Sequence, residues 1–222
     1  MKLRRINNFN LKKLHEMITA MSKLLDGNNS SVLTIEELCS FQDKDGSFKL
    51  LNTYEVPSDA RVDFCHTPTY IGSAILMKEY LAGEAGLIEK LEKALDASLR
   101  SGLLGHGYEA EAGRISALNF FIKGGLREFL ENHNHINPGF HNLIHNMLHQ
   151  YNSNLFWGTT KGAWGEYYTS EWQEIVDKLK INRRLYIAYG SNMDKTQMLS
   201  QRCPDAILTG KTYLEDWELT MP

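Results

Sequence analysis

Cysteine is scarce in this chain: three among 222 residues, Cys39, Cys65 and Cys203, an odd number set far apart. That argues against a disulfide framework and suits free thiols in a reducing compartment, so a cytoplasmic location is expected. A dominant charge is also lacking. Lys and Arg number 24 against 27 Asp and Glu, a net charge of −3. The one short basic cluster is Lys2-Leu3-Arg4-Arg5, and no nucleic-acid partner is expected from it. No apolar run approaches the roughly 20 residues of a membrane helix, and the opening MKLRRINNFNLKKLHEM has no apolar centre of the signal-peptide kind, so no membrane partner is expected. Strand signals are almost missing from the first 180 or so residues. What is present is 42% hydrophobic and 23% charged residues, the balance of an ordinary globular protein with one large domain or two modest ones.

The first four fifths of the sequence reads as helices. Across residues 9–25, Leu11, Leu14, Ile18, Met21 and Leu25 recur at steps of three and four and end at Asp26-Gly27, which predicts an amphipathic helix. Thr34 stands before IEELCSFQ with Glu37 three residues on, a capping-box signature for a second helix. Residues 43–63, with Gly46 and Pro57, read as a loop with a short extended piece. Pro68 opens a third helix to about Leu81. Leu87, Leu91, Leu95 and Leu99 lie at four-residue steps in a fourth. SGLLGHGYEAEAG reads as loop, residues 114–130 as a fifth helix weakened by Gly124-Gly125, residues 138–151 as a sixth, and residues 170–179 as the last.

Three connectors echo one another: FQDKDGSFKLL, GLLGHGYEAEAG and FWGTTKGAWGEYY each join helices through glycine, aromatic and acidic residues, about 60 residues apart, which suggests helix pairs stacked side by side. Within the first, Gln42-Asp43-Lys44-Asp45-Gly46-Ser47-Phe48 resembles the Q-x-x-D-G-S-[FW] repeat segment of the terpene cyclase and protein prenyltransferase α/α-toroid folds. About seven helices would make roughly half of a closed ring of helix pairs, so an open arc or truncated toroid is the expectation.

From Arg184 the pattern changes. LYIAY is the first convincing strand, GSN a turn, and MDKTQMLSQR a helix stopped at Cys203-Pro204. AILTG and TYLEDWELTM read as further strand-like pieces. Gly190 can adopt backbone angles closed to other residues. The amides of Gly190, Ser191 and Asn192 could then converge on one spot as an anion-binding nest at the start of the helix, with a carboxylate or a developing oxyanion as guest. The competing reading is a plain strand-turn-helix in which Ser191 or Asn192 caps the helix, with Asp194 in its first turn.

Tyr186-Ile187-Ala188-Tyr189-Gly190-Ser191-Asn192-Met193, followed by Met198, Arg202-Cys203-Pro204, Ala206, Gly210, Leu214 and Leu219, resembles the start of the γ-glutamylcyclotransferase-like (AIG2-like) family, over residues 185–221. The resemblance implies the first β-α-β portion of a small mixed α/β barrel. It also implies a transferase that cyclises the γ-glutamyl group of a small-molecule substrate to 5-oxoproline and releases an amine or amino acid. The family's Y-G-S-N loop holds the γ-glutamyl moiety, here Tyr189, Gly190, Ser191 and Asn192. No cofactor is implied. The family's general acid/base is a glutamate in a later strand than this sequence reaches. Glu215 and Glu218 do not match its context, so no catalytic residue is assigned. The chain is therefore expected to be a fragment of a longer protein or a natural truncation, and inactive by itself, since proton transfer needs a positioned carboxyl.

Weaker constellations point both ways. Asp63-x-Cys65 matches the D-x-C zinc pair of protein prenyltransferases, with His66 or His106 as a further ligand, but spacing forces no third ligand into place, and structural caps with a buried free cysteine are favoured. His141, His145 and His149 recur every four residues. They could bind a transition metal, yet Phe140, Leu143, Ile144, Met147 and Leu148 already supply a buried face, which makes the histidines a polar shoulder. The aromatic loop around Phe156, Trp157, Trp164, Tyr167 and Tyr168 could line a cavity or pack over helix ends, the latter favoured. Neither D-D-x-x-D nor D-x-D-D occurs, which argues against prenyl chemistry. The sequence thus predicts a mainly α protein: an α/α helical-repeat, partly toroid-like domain over 1–182, then the start of a γ-glutamylcyclotransferase-like domain over 183–222. The alternative is a non-catalytic helical binding module with a vestigial cyclotransferase-like tail.

Overall fold

The computed structural model describes residues 3, 5–6, 10–27, 33–51, 66–103, 108–152 and 169–179. Within these the chain is mainly α, with eight α-helices. Helix α1 (Leu11–Leu25) starts at Asn10, whose side chain accepts the Lys13 amide, and buries Leu14, Met17, Met21 and Leu25. Leu11, expected on that face, is instead 49% exposed at the first position of the helix. Helix α2 (Ile35–Phe41) carries the full capping box: the Thr34 hydroxyl accepts the Glu37 amide while the Glu37 carboxylate accepts that of Thr34.

Helix α3 (Thr67–Leu81) is the hub. Every residue from Thr67 to Met77 is buried, so these first three turns have no solvent face, as a segment wrapped on all sides requires; only the last turn, from Lys78 to Leu81, is partly exposed. It packs against α1, α4 (Ile88–Ser98) and α5 (Tyr108–Lys123). Small residues on α3 admit these neighbours. A Cβ on Gly72 would stand 2.5 Å from the Phe48 ring. Ser73 Oγ donates to the Thr69 carbonyl at 2.7 Å, leaving Ser98 Oγ on α4, 2.9 Å away, to donate to it, so two buried hydroxyls are satisfied.

A 3₁₀ turn (Ala85–Leu87) leads into α4, and a single π turn (Leu99–Leu103) ends it. Leu91 and Leu95 are fully buried and Leu87 and Leu99 partly so, as their four-residue spacing predicts. The expected fifth helix is two helices, α5 and α6 (Leu126–Asn132). The break has a steric cause. A Cβ on Gly124 would lie 2.5 Å from the Ala74 carbonyl oxygen, so α5 approaches α3 backbone to backbone there. Gly125, at φ +91°, then turns the chain in the left-handed region. Helix α5 also begins at Tyr108, inside the stretch read as loop. Glu and Ala there are good helix formers, and the glycine count outweighed them in the sequence reading.

Helix α7 (Pro138–Asn152) is set by Asn137, whose Oδ1 accepts the Phe140 amide at 3.0 Å while its Nδ2 donates to Asp96 Oδ1 on α4 at 2.6 Å. Asn137 sits at φ +48°, a conformation asparagine tolerates better than most residues. Phe121, Phe129 and Phe140 join α5, α6 and α7 edge to face, with ring centres 5.0 Å apart for Phe121 and Phe140 and 6.4 Å for Phe129 and Phe140. Helix α8 (Thr169–Leu179) lays Trp172, Ile175 and Leu179 against the core and packs on α5.

Lysines close the helix ends. Lys78 donates to the Leu25 carbonyl at the end of α1 (2.6 Å) and Lys90 to that of Cys39 at the end of α2 (3.2 Å), each meeting an otherwise orphaned acceptor. Near the N-terminus, Ile6 donates to the Leu50 carbonyl and forms a parallel bridge with Leu51, the extended piece anticipated for this loop. Arg5 pairs with Asp43 and lies over the Phe41 ring. No helix among the described residues is long and apolar enough to cross a membrane. Residues 183–222, and with them the expected β-α-β portion, lie outside the described residues, as does the boundary near residues 180–183.

Candidate functional site

The loop expected to bind substrate, Tyr189, Gly190, Ser191 and Asn192, lies outside the described residues, as do Asp63, Cys65, His106, Cys203 and the aromatic loop from Phe156 to Tyr168. What the structure does place is the Gln42–Phe48 motif, the histidines, and a polar cluster at the start of α3.

The motif folds as a clasp between α2, α3 and α4. Gly46 N–H donates to the Asp43 carbonyl and Asp43 N–H to that of Ser47, both at 2.9 Å, closing a tight turn. Gln42 Nε2 donates to Gly46 O (3.2 Å) and across to Lys90 O on α4 (2.9 Å). Arg100 donates to the Asp45 carbonyl at 2.6 Å. Gly46 is obligatory twice over: its φ is +86°, and a Cβ would fall 2.0 Å from the Lys93 carbonyl oxygen. Asp45 Oδ1 accepts from the Ser47 amide (3.0 Å) and hydroxyl (2.6 Å), and Oδ2 from Lys49 (2.8 Å). Partial burial alone would raise the Asp45 pKa, but the bonds from Lys49 and Ser47 outweigh it and hold the carboxyl well below the usual carboxylate range. Phe48 is fully buried against Gly72, and its amide donates to Thr69 Oγ1 at 3.2 Å. Through Gln42, the Asp45 carbonyl and Phe48 the motif ties the end of α2 to α4, the π turn and α3.

The histidines correct the expectation of a polar shoulder on α7. His141 is fully buried and His145 nearly so. The reason lies on α6, whose Phe129 stacks on the His141 ring with centres 5.0 Å apart. That partner is 12 positions away in sequence and invisible to a single-helix pattern. Phe129 also stacks on His133 at 5.9 Å, and Tyr80 meets His133 edge to face at 5.3 Å. The rings are thus shared out among aromatic partners. Among the described residues no three His, Cys, Asp or Glu side chains are grouped to hold a metal ion; the side chain of His149 lies outside the described set.

His66 precedes α3, and its ring centre is 6.5 Å from that of Tyr70. The Tyr70 hydroxyl donates to the Ser101 carbonyl in the π turn at 2.5 Å. Burial pushes its pKa above the ordinary range, and the nearby Arg114 guanidinium opposes that only in part. Arg114 itself is 7% exposed. Sequence reasoning passed over this cluster, although a signal existed: Arg114 shares a helical face with Ala117, Leu118 and Phe121, three, four and seven residues on, all fully buried. Cys39 is a half-buried free thiol whose pKa is raised by burial, with Lys90 opposing.

No known family's profile, no curated protein and no solved structure matches the chain. The described residues are mainly helical and gather around α3, buried at every position from Thr67 to Met77.

Proposed function

We propose that residues 183–222 open a γ-glutamylcyclotransferase-like unit, and that the protein containing them releases 5-oxoproline from γ-glutamyl amines or peptides. One observation carries the reading: the run from Tyr186 to Met193, with Arg202-Cys203-Pro204 and Ala206 following in order. Such a run suits an apolar strand, a nest of successive amides and a helix N-terminus, an arrangement that favours negative charge. In the reaction the substrate's α-amino nitrogen attacks its own γ-carbonyl carbon. The new N–C bond closes a five-membered ring, and the bond from that carbon to the departing nitrogen breaks. The proton lost by the attacking nitrogen ends on the departing amine, relayed by a carboxyl group. Gly190, Ser191 and Asn192 would hold the glutamyl head beside Tyr189, and their amides would bear the developing oxyanion. Because nucleophile and electrophile belong to one molecule, orientation supplies much of the rate and no cofactor is required. The α/α-repeat organisation of residues 1–182 belongs to the same proposal, with the helical unit positioning substrate or partner.

The test offers the product of the complete reading frame γ-glutamyl amines and glutathione-like peptides and measures 5-oxoproline by chromatography. Accumulation of 5-oxoproline is expected. Absence of the product with every γ-glutamyl donor overturns the reading in favour of a non-catalytic helical binding module.

A further inference from the structure

We draw no further inference here: the strongest candidate, the side-chain cluster of Tyr70, Arg114 and His66 where α3 begins and α4 ends, has its tyrosine hydroxyl taken up by the Ser101 carbonyl, and nothing among the described residues shows what ligand it would hold.

Discussion

Replacing Gly46 by alanine separates the two reasons the Gln42–Phe48 clasp needs a glycine. Gly46 and Gly83 both hold left-handed backbone, at φ +86° and +111°. A Cβ at Gly83 meets nothing within 4 Å, whereas at Gly46 it meets the Lys93 carbonyl oxygen at 2.0 Å and its carbon at 2.4 Å. Gly83→Ala therefore carries only the conformational penalty, about 1–2 kcal/mol. Gly46→Ala carries the same penalty and must also lift the turn off α4. That strains the Gln42 bond to Lys90 and the Arg100 bond to Asp45, each worth about 1 kcal/mol net. The sum is roughly 3–4 kcal/mol for Gly46→Ala. At about 2–4 °C per kcal/mol for a chain of this size, Tm should fall by on the order of 6–16 °C, against about 2–8 °C for Gly83→Ala. Urea unfolding followed by circular dichroism measures both. Equal losses in the two variants would refute the claim that the motif is bolted to α4.

Asp45→Asn should cost about 1 kcal/mol at pH 7, a modest figure because the carboxylate is half exposed. The folded-state pKa is depressed, so this contribution is present above the unfolded value near 3.8 and is lost as pH falls through the folded one; in urea titrations the difference between the two proteins should shrink steadily as pH is lowered below about 3.8. Asn137→Ala loses the α7 cap and the tie to Asp96 and forces alanine to φ +48°, which together cost about 2 kcal/mol in chemical denaturation, while Asn137→Gly, free of the backbone penalty, should recover about half. Trp172→Ala empties a fully buried site and should cost about 3–5 kcal/mol. Amides of α8 should then exchange with deuterium before those of α3; simultaneous exchange of the two helices would contradict the packing described. In the cyclotransferase assay, Ser191→Ala, which keeps the backbone amide, should slow 5-oxoproline release on the order of ten-fold if the hydroxyl holds the glutamyl head, the loss of one hydrogen bond of about 1.4 kcal/mol, and an unchanged rate would remove the Ser191 hydroxyl from the site.

The parts of the fold that could be read in the sequence are those governed by neighbours within a helical turn or two. Thr34 and Glu37 specify their own capping box, Pro68 stands in the first turn of α3, and Leu91 and Leu95 mark the buried stripe of α4. The parts that escaped depend on residues far along the chain. Gly124 breaks the α5–α6 stretch because Ala74 lies against it, and only the folded chain brings the two together. The burial of His141 is decided by Phe129, 12 positions away. The Gln42–Phe48 motif shows both sides. Its glycine-marked turn was legible, but its work, gripping Lys90, Arg100 and Thr69, becomes visible only in three dimensions. For the proposed glutamyl-binding loop the sequence is the sole guide, since residues 183–222 lie outside the described ones.

Backbone amide resonances of the 222-residue chain, followed by NMR during titration with a γ-glutamyl amide, test most directly the proposal that residues 189–192 bind a glutamyl group. Saturable shifts concentrated at Gly190, Ser191 and Asn192, and lost when α-glutamyl isomers replace the γ-linked ligand, are the predicted result. Amides at those three positions that stay still at saturating ligand, or that respond equally to both isomers, would contradict it.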